Sequence, residues 1–274
     1  MPMATLAGTK AFWHEAGEGD RAVFLLHCTM AHSGAWKGVM RALSETCRMV
    51  AMDLPAHGQS GPRDPRVSWQ TQSVEMVKAL LERGGTPHDL VGHSFGATVC
   101  LRVALERPEL VRSLTLIEPV FFSAAKDAGR PEYGEHLGAH SYFYELLDKG
   151  DLDGAARAFS DIWSGPVAWD DLPDRQRAYI SERVGMIRVG AESLIGEGPD
   201  YIPLTRLGAL EAPVLLVEGD ATDPIIAAVH DSLQSVLADT SRVVVRNAGH
   251  MVPITHPVEV ARAITDFFGS SEPR

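Results

Sequence analysis

The sequence predicts an α/β protein with a mostly parallel sheet and helices on both faces. Two observations lead to this prediction. Short apolar runs of strand length alternate along the chain with longer amphipathic stretches. The short runs are also apolar almost throughout, which indicates strands that are buried on both faces of a sheet. With 45% hydrophobic and 22% charged residues among 274, the chain can bury a full core.

The order of the predicted elements is regular except in the middle of the chain. Six apolar runs are the candidate core strands, at residues 22–27, 48–52, 89–92, 113–117, 214–217 and 242–245. Apolar residues at helical spacing predict helices at residues 36–45, 68–83, 95–106, 224–237 and 257–268. Strand and helix therefore alternate as they do in a sheet covered on both sides.

This alternation is interrupted once, between Pro119 and Thr205. The interval contains no strand-like run, but it has helix-like pieces at 134–148, 151–163 and 174–195. It is too long for a simple loop. We therefore expect one core domain formed by residues 1–119 and 204–274. We expect a helical cap formed by residues 120–203 to be inserted after the strand at 113–117, which we count as the sixth strand of the complete sheet.

Composition argues against several classes of function. The formal net charge is −11, and no basic run stands out, so we expect no nucleic-acid partner. The sequence has no long apolar span and no signal-peptide pattern at its start, so we expect a soluble cytoplasmic protein that does not engage membranes. Monomer and homodimer both remain open.

The cysteines do not suggest a disulfide framework or a metal centre. Cys28, Cys47 and Cys100 lack paired spacing and lie in apolar segments, as buried reduced thiols do. No Cys/His cluster has the spacing of a zinc site, so we expect no metal.

A candidate nucleophile lies between a predicted strand and a predicted helix. Gly92-His93-Ser94-Phe95-Gly96 follows the strand at 89–92 and leads into the helix at 95–106. The flanking glycines let a sharp turn approach its neighbours, and the turn presents the serine at the carboxyl edge of the sheet. The alternative is that Ser94 only caps the helix.

Several segments together resemble the α/β-hydrolase family, specifically its capped members, over nearly the whole chain. In the order of the family they are Leu26-His27, the Asp-Leu-Pro-Ala-His-Gly-Gln-Ser stretch at 53–60, the turn at 92–96, the Gly-Asp-Ala-Thr-Asp stretch at 219–223, and Ala-Gly-His at 248–250. The resemblance implies a serine hydrolase without a cofactor, acting on a small-molecule acyl substrate.

A serine hydroxyl needs a base to take its proton, and imidazole suits that task near neutral pH. His250 follows the last predicted strand in the turn at 247–249, so it lies at the same sheet edge as Ser94. The other candidates are His27, His32, His57, His93 and His256. We therefore expect His250 to be the base.

The acid that orients this histidine is less sharply defined by the sequence. The family pattern is Gly-x-x-Asp, often followed by Pro, whereas this chain is one residue longer at 219–224. Asp223 matches the Asp-Pro pair and is our expected acid. Asp220 is one alternative. Glu118 is the other, because some family members carry the acid after the sixth strand.

The family also implies two backbone donors for the oxyanion. One is the Phe95 amide, directly after the nucleophile. The second is the Thr29 amide, although Cys28 stands where the family usually has glycine. The candidate pocket residues are His27, Cys28, Phe121, Trp163 and Met251.

The expected reaction is hydrolysis of carboxylic esters, or of related lactones and thioesters, through an acyl-enzyme on Ser94. The first alternative is a carbon–carbon bond hydrolase of diketone ring-cleavage products, in which Arg183 or Arg188 could hold a substrate carboxylate. The second is a ligand receptor with little turnover. Dehalogenase and epoxide hydrolase activities are disfavoured, because those enzymes use an aspartate nucleophile.

Overall fold

A computed structural model of the chain describes residues 2–163, 167–195 and 198–270. The strands are β1 (Met3–Leu6), β2 (Thr9–Ala16), β3 (Arg21–Leu26), β4 (Cys47–Met52), β5 (His88–His93), β6 (Val111–Ile117), β7 (Val214–Gly219) and β8 (Thr240–Val245). The α-helices are α1 (Lys37–Leu43), α2 (Trp69–Gly84), α3 (Phe95–Glu106), α4 (Phe122–Asp127), α5 (Pro131–Asp148), α6 (Leu152–Trp163), α7 (Asp174–Arg183), α8 (Met186–Leu194), α9 (Pro224–Gln234), α10 (Val252–Thr255) and α11 (Pro257–Ser270).

The strands form one sheet in the order β1-β2-β4-β3-β5-β6-β7-β8. Strands β3 to β8 pair in parallel, whereas β1 and β2 are antiparallel to their neighbours. The predicted fold class is thus confirmed, and the six predicted strands are β3 to β8. The β1–β2 hairpin was not predicted, because these two strands are partly exposed and lack a continuous apolar run.

The two faces of the sheet carry two separate apolar clusters. On β7, Leu215 and Val217 pack in one cluster with residues of α1 and α11. Val214 and Leu216 pack in the other, with residues of α2, α3 and α9. Successive side chains of a strand point to opposite faces, so both faces of β7 are covered. This double burial explains why the strand sequences are apolar at nearly every position.

Between β6 and β7, the described residues form α4 to α8 and no strand. The predicted helix at 174–195 is two helices, α7 and α8, which are separated at Val184–Gly185. Residues 164–166 and 196–197 of the predicted insertion lie outside the described residues. Within the part of the chain that the structure describes, no helix is both long and apolar enough to cross a membrane.

Candidate active site

Ser94 lies in a strained turn between β5 and α3. Its φ of 55° and ψ of −118° place a non-glycine residue in the left-handed half of backbone space. The glycines on either side allow the close approach: a Cβ on Gly92 would lie 2.5 Å from the Ala97 Cα, and one on Gly96 would lie 2.4 Å from the Leu26 carbonyl oxygen. The strain and the tight packing fix the serine hydroxyl at the carboxyl edge of the sheet.

His250 lies beside this serine, in the loop between β8 and α10. Its Nε2 is 3.0 Å from the Ser94 Oγ, and its Nδ1 is 3.1 Å from Glu118 Oε2. A carboxylate only accepts hydrogen bonds, so the proton of the neutral ring is on Nδ1 and Nε2 offers its lone pair to the serine hydroxyl. The arrangement is that of a nucleophile, a base and an orienting acid.

Glu118 follows directly after β6 and is fully buried, with a φ of 49°. Its Oε1 accepts the Gly219 amide hydrogen at 2.7 Å, and its Oε2 accepts the Thr222 hydroxyl hydrogen at 2.7 Å as well as the His250 ring hydrogen. These three donors compensate a carboxylate that burial alone would destabilise. Glu118 is therefore held in one position against His250.

The expectation that Asp223 contacts His250 is wrong for this structure. Asp223 caps the N-terminus of α9, where its Oδ1 accepts the Ile225 amide hydrogen at 2.9 Å and its Oδ2 accepts from His136 Nδ1 at 3.1 Å. Asp220 accepts instead from the Asn247 amide at 2.6 Å. Thr222, in the same loop after β7, donates to the Glu118 carboxylate. The carboxylate that contacts His250 therefore follows β6 and not β7.

Two buried histidines hold the loop that follows β3. His27 donates from Nδ1 to the Cys28 carbonyl at 2.7 Å and accepts the Leu54 amide hydrogen on Nε2 at 3.0 Å. His57 accepts the Met30 amide hydrogen on Nε2 at 3.0 Å. Burial, reinforced by the neighbouring histidine, lowers the pKa of His27 well below its ordinary value. Both rings therefore act as neutral connectors that shape the loop around Thr29.

The two amides expected to form the oxyanion hole belong to this region. Phe95 is the first residue of α3, so its amide has no acceptor within the helix and lies at the positive end of the helix dipole. Thr29 lies in the wall of the cavity that contains Ser94. Burial raises the pKa of the neighbouring Cys28 thiol to about 12, so this thiol stays protonated near neutral pH.

A cavity of about 730 Å³ lies over the serine and the histidine. Its wall is largely apolar, and much of it comes from α5 to α8, with Leu137, Leu172, Ile180, Ile187, Leu194 and the α10 residue Ile254 among the lining side chains. Three of the predicted pocket residues, Cys28, Trp163 and Met251, line this cavity. His27 and Phe121 do not: both are buried in the protein interior, and Phe122 lines the cavity in place of its neighbour.

Arg183 and Arg188, the candidates to hold a substrate carboxylate, do not lie in this wall. Arg183 stacks on the Tyr179 ring and pairs with Glu182, and Arg188 pairs with Asp148. Among the described residues that line the cavity, Arg175 is the only one of the aspartates, glutamates, lysines and arginines. The wall of the cavity therefore carries few charged side chains.

Trp163 packs on the ring of His250. The ring centroids of the two residues are 4.5 Å apart. The Trp163 indole N–H donates to His140 Nε2 at 2.8 Å, and His140 Nδ1–H donates to the His136 carbonyl at 2.9 Å. Burial, reinforced by His136, lowers the pKa of His140 to about 4. The α5 histidines thus hold the indole in place.

His93, inside the sharp turn, also contacts His250. Its Nε2 donates to the His250 carbonyl at 2.7 Å. Burial and the neighbouring His250 lower the pKa of His93 to about 3. The sequence analysis missed His136, His140 and Thr222. The only sequence signal for the first two is their spacing of four residues within a predicted helix, which places them on one face.

Comparisons with known proteins identify the family of the chain. Residues 23–263 match the model of the alpha/beta hydrolase family. The chain is 28% identical over 261 residues to lipase LipV of Mycobacterium tuberculosis, covering 92% of this chain and 94% of that one. A shorter match, 30% identical over 129 residues, covers 47% of the chain and 34% of the dihydrolipoyllysine-residue acetyltransferase component of the acetoin cleaving system of Cupriavidus necator.

Solved structures show the same fold. A thermophilic esterase superposes with a TM-score of 0.75 at 20% identity, over 98% of this chain and 97% of that one. The family match spans most of the sequence, from β3 into α11, and includes every residue that builds the site. This chain is therefore an enzyme of the α/β-hydrolase family.

Proposed function

We propose that the protein hydrolyses carboxylic esters with Ser94 as nucleophile, His250 as base and Glu118 as the orienting acid. The observation that carries the proposal is the continuous chain of contacts from Glu118 Oε2 to His250 Nδ1 and from His250 Nε2 to Ser94 Oγ, at 3.1 and 3.0 Å. The similarity to a lipase over most of both chains supports an ester substrate.

In the proposed reaction, the Ser94 oxygen attacks the ester carbonyl while His250 takes the hydroxyl proton. The amides of Phe95 and Thr29 stabilise the oxyanion. The protonated His250 gives its proton to the leaving alcohol, and an acyl-enzyme forms on Ser94. His250 then deprotonates water, which attacks the acyl carbon, and it returns this proton to the Ser94 oxygen as the acid leaves. Glu118 stabilises the charged imidazole in both halves of the reaction.

The apolar cavity supports a substrate with a hydrocarbon portion. We propose that residues 120–203 act as a cap over a core formed by residues 1–119 and 204–274, since α5 to α8 supply much of the cavity wall. Each methylene that leaves water contributes about 0.8 kcal/mol, so kcat/KM should rise about fourfold for each added acyl carbon until the chain fills the cavity.

The test is hydrolysis of p-nitrophenyl esters of increasing chain length by the wild type, by Ser94→Ala and by His250→Ala. The proposal predicts turnover that increases with chain length and is lost in both variants. An organophosphonate serves as the labelling control. Labelling of the wild type without turnover of any ester would point to a different substrate class, and turnover that survives in Ser94→Ala would overturn the proposal.

A further inference from the structure

Behind the catalytic cavity lies a cluster of metal-ligating side chains that ester hydrolysis does not use. His136, His140 and Asp223 each offer one ligand atom, and these atoms all lie within 4.8 Å of one another. The two histidines are four residues apart on α5, so they share one helix face. We propose that these three residues bind a divalent transition-metal ion of the zinc class, and that its binding lowers esterase activity.

The geometry of the first two ligands suits such an ion. His136 Nδ1 and Asp223 Oδ2 lie 3.1 Å apart, close to the separation of roughly 3.3 Å between neighbouring ligands in a tetrahedral zinc site. Asp223 Oδ1 is held by the Ile225 amide, so the second oxygen is fixed in direction. Two imidazoles and one carboxylate bind zinc and the neighbouring transition metals more tightly than they bind magnesium or calcium.

A second, independent observation is the acidic pocket that leads to this cluster from the outside. His136 and Asp223 line a surface pocket together with Glu132, Glu135 and Asp161. Its carboxylates attract cations from solution, and their charge favours a divalent ion over an anionic ligand. The cluster therefore lies between this surface pocket and the catalytic cavity, whose wall also includes His136 and His140.

Metal binding would break a hydrogen bond between His140 and Trp163, and this contact connects the cluster to the catalytic base. His140 Nδ1–H donates to the His136 carbonyl, so the lone pair of this ring is on Nε2, where it accepts the Trp163 indole N–H. A metal ion that takes this lone pair releases the indole. Trp163 packs on His250 at 4.5 Å, so its release removes a support of the catalytic base.

The first part of the test does not depend on ester hydrolysis. Chelator-treated protein is titrated with Co²⁺, and the visible absorption of tetrahedral cobalt is recorded. We expect saturation near one equivalent for the wild type and for the control His14→Gln, which removes a histidine on β2. His136→Gln should bind Co²⁺ at least about tenfold more weakly, because the loss of a group that only supports a ligand already lowers metal affinity by that factor. Equal binding by the wild type and His136→Gln would overturn the site.

Trp163→Phe separates the proposal from a general loss of structure. This variant has no indole N–H, so His140 is free to bind the metal and Co²⁺ affinity should rise severalfold. A damaged fold would lower the affinity instead. Unchanged Co²⁺ binding by Trp163→Phe would overturn the competition between metal and indole.

The second part of the test measures inhibition and rests on the proposed function. One equivalent of Zn²⁺ should lower p-nitrophenyl ester turnover of the wild type, and chelation should restore it. For His136→Gln, the turnover measured with zinc should be nearly equal to the turnover measured without zinc. Cobalt binding with no effect of zinc on turnover would overturn the link to activity. Absence of ester turnover in all samples would count against the proposed function, while the cobalt absorption would still decide the metal site.

Discussion

Exchange of Glu118 for glutamine is expected to abolish most of the activity while leaving the fold intact. The Glu118 carboxylate accepts from Gly219, Thr222 and His250. An amide of the same shape has one acceptor oxygen and one donor nitrogen. If its oxygen faces His250, its NH₂ group meets the Gly219 N–H. If its nitrogen faces His250, the imidazole must carry its proton on Nε2 and can no longer accept one from Ser94.

The magnitude follows from this forced choice. In serine enzymes, an acid-to-amide change that leaves the wrong histidine tautomer lowers kcat by about 10⁴. We expect a loss of about 10³–10⁴ in kcat for Glu118→Gln with little change in KM, because the carboxylate does not line the cavity. Steady-state hydrolysis of a p-nitrophenyl ester measures this loss, and circular dichroism checks the fold.

Asp223→Asn is the matched control, since it makes the same chemical change at the carboxylate that the sequence pattern favoured. Asp223 contacts His136 and the Ile225 amide, not His250, so kcat should fall less than about tenfold. The reasoning would be refuted by the reverse order, with Asp223→Asn inactive and Glu118→Gln nearly as active as the wild type.

Three further predictions concern the fold. Gly138 lies exposed within α5 with nothing within 4 Å of an added Cβ, so Gly138→Ala should raise the free energy of unfolding by about 0.5–1 kcal/mol, measured by urea denaturation. A Cβ on Gly92 would meet the Ala97 backbone at 2.5 Å, so Gly92→Ala should lower that free energy by about 1–3 kcal/mol, and an unchanged urea midpoint would contradict the packing described. The folded-state pKa of His93 is about 3 against an ordinary value of 6.5, so the unfolded chain binds the extra proton below pH 6.5 and stability falls as the pH falls. This histidine alone should remove about 2 kcal/mol of stability between pH 6.5 and about pH 5, and His93→Asn should show a correspondingly weaker pH dependence.

The fold could be predicted from the sequence because the buried strands have an unmistakable pattern. β3 to β7 carry apolar side chains on both faces, and each lies next to an amphipathic helix or a turn. The β1–β2 hairpin and the break between α7 and α8 escaped prediction, since partly exposed strands and short helices have weak periodicity.

The closeness of Ser94 and His250 was predictable, because each lies in a turn that follows a strand and has a glycine beside it. The carboxylate that contacts His250 was not predictable, because it depends on which of two side chains at the sheet edge reaches the imidazole. The Thr222 hydroxyl and the Gly219 amide hold Glu118 beside His250, whereas Asp223 is hydrogen-bonded to His136. The His136–His140–Asp223 cluster was hidden for a similar reason, since its third member is distant in sequence.

The central claim is that Ser94 carries the acyl group during turnover. The direct measurement is acid quenching of the enzyme during hydrolysis of a slowly deacylated p-nitrophenyl ester, followed by peptide mass analysis. The account predicts that the acyl mass appears on the peptide containing Ser94, that it accumulates with the burst of p-nitrophenol, and that it is missing in Ser94→Ala. Steady turnover with an acyl group on another residue, or an unlabelled Ser94 during a clear burst, would contradict it.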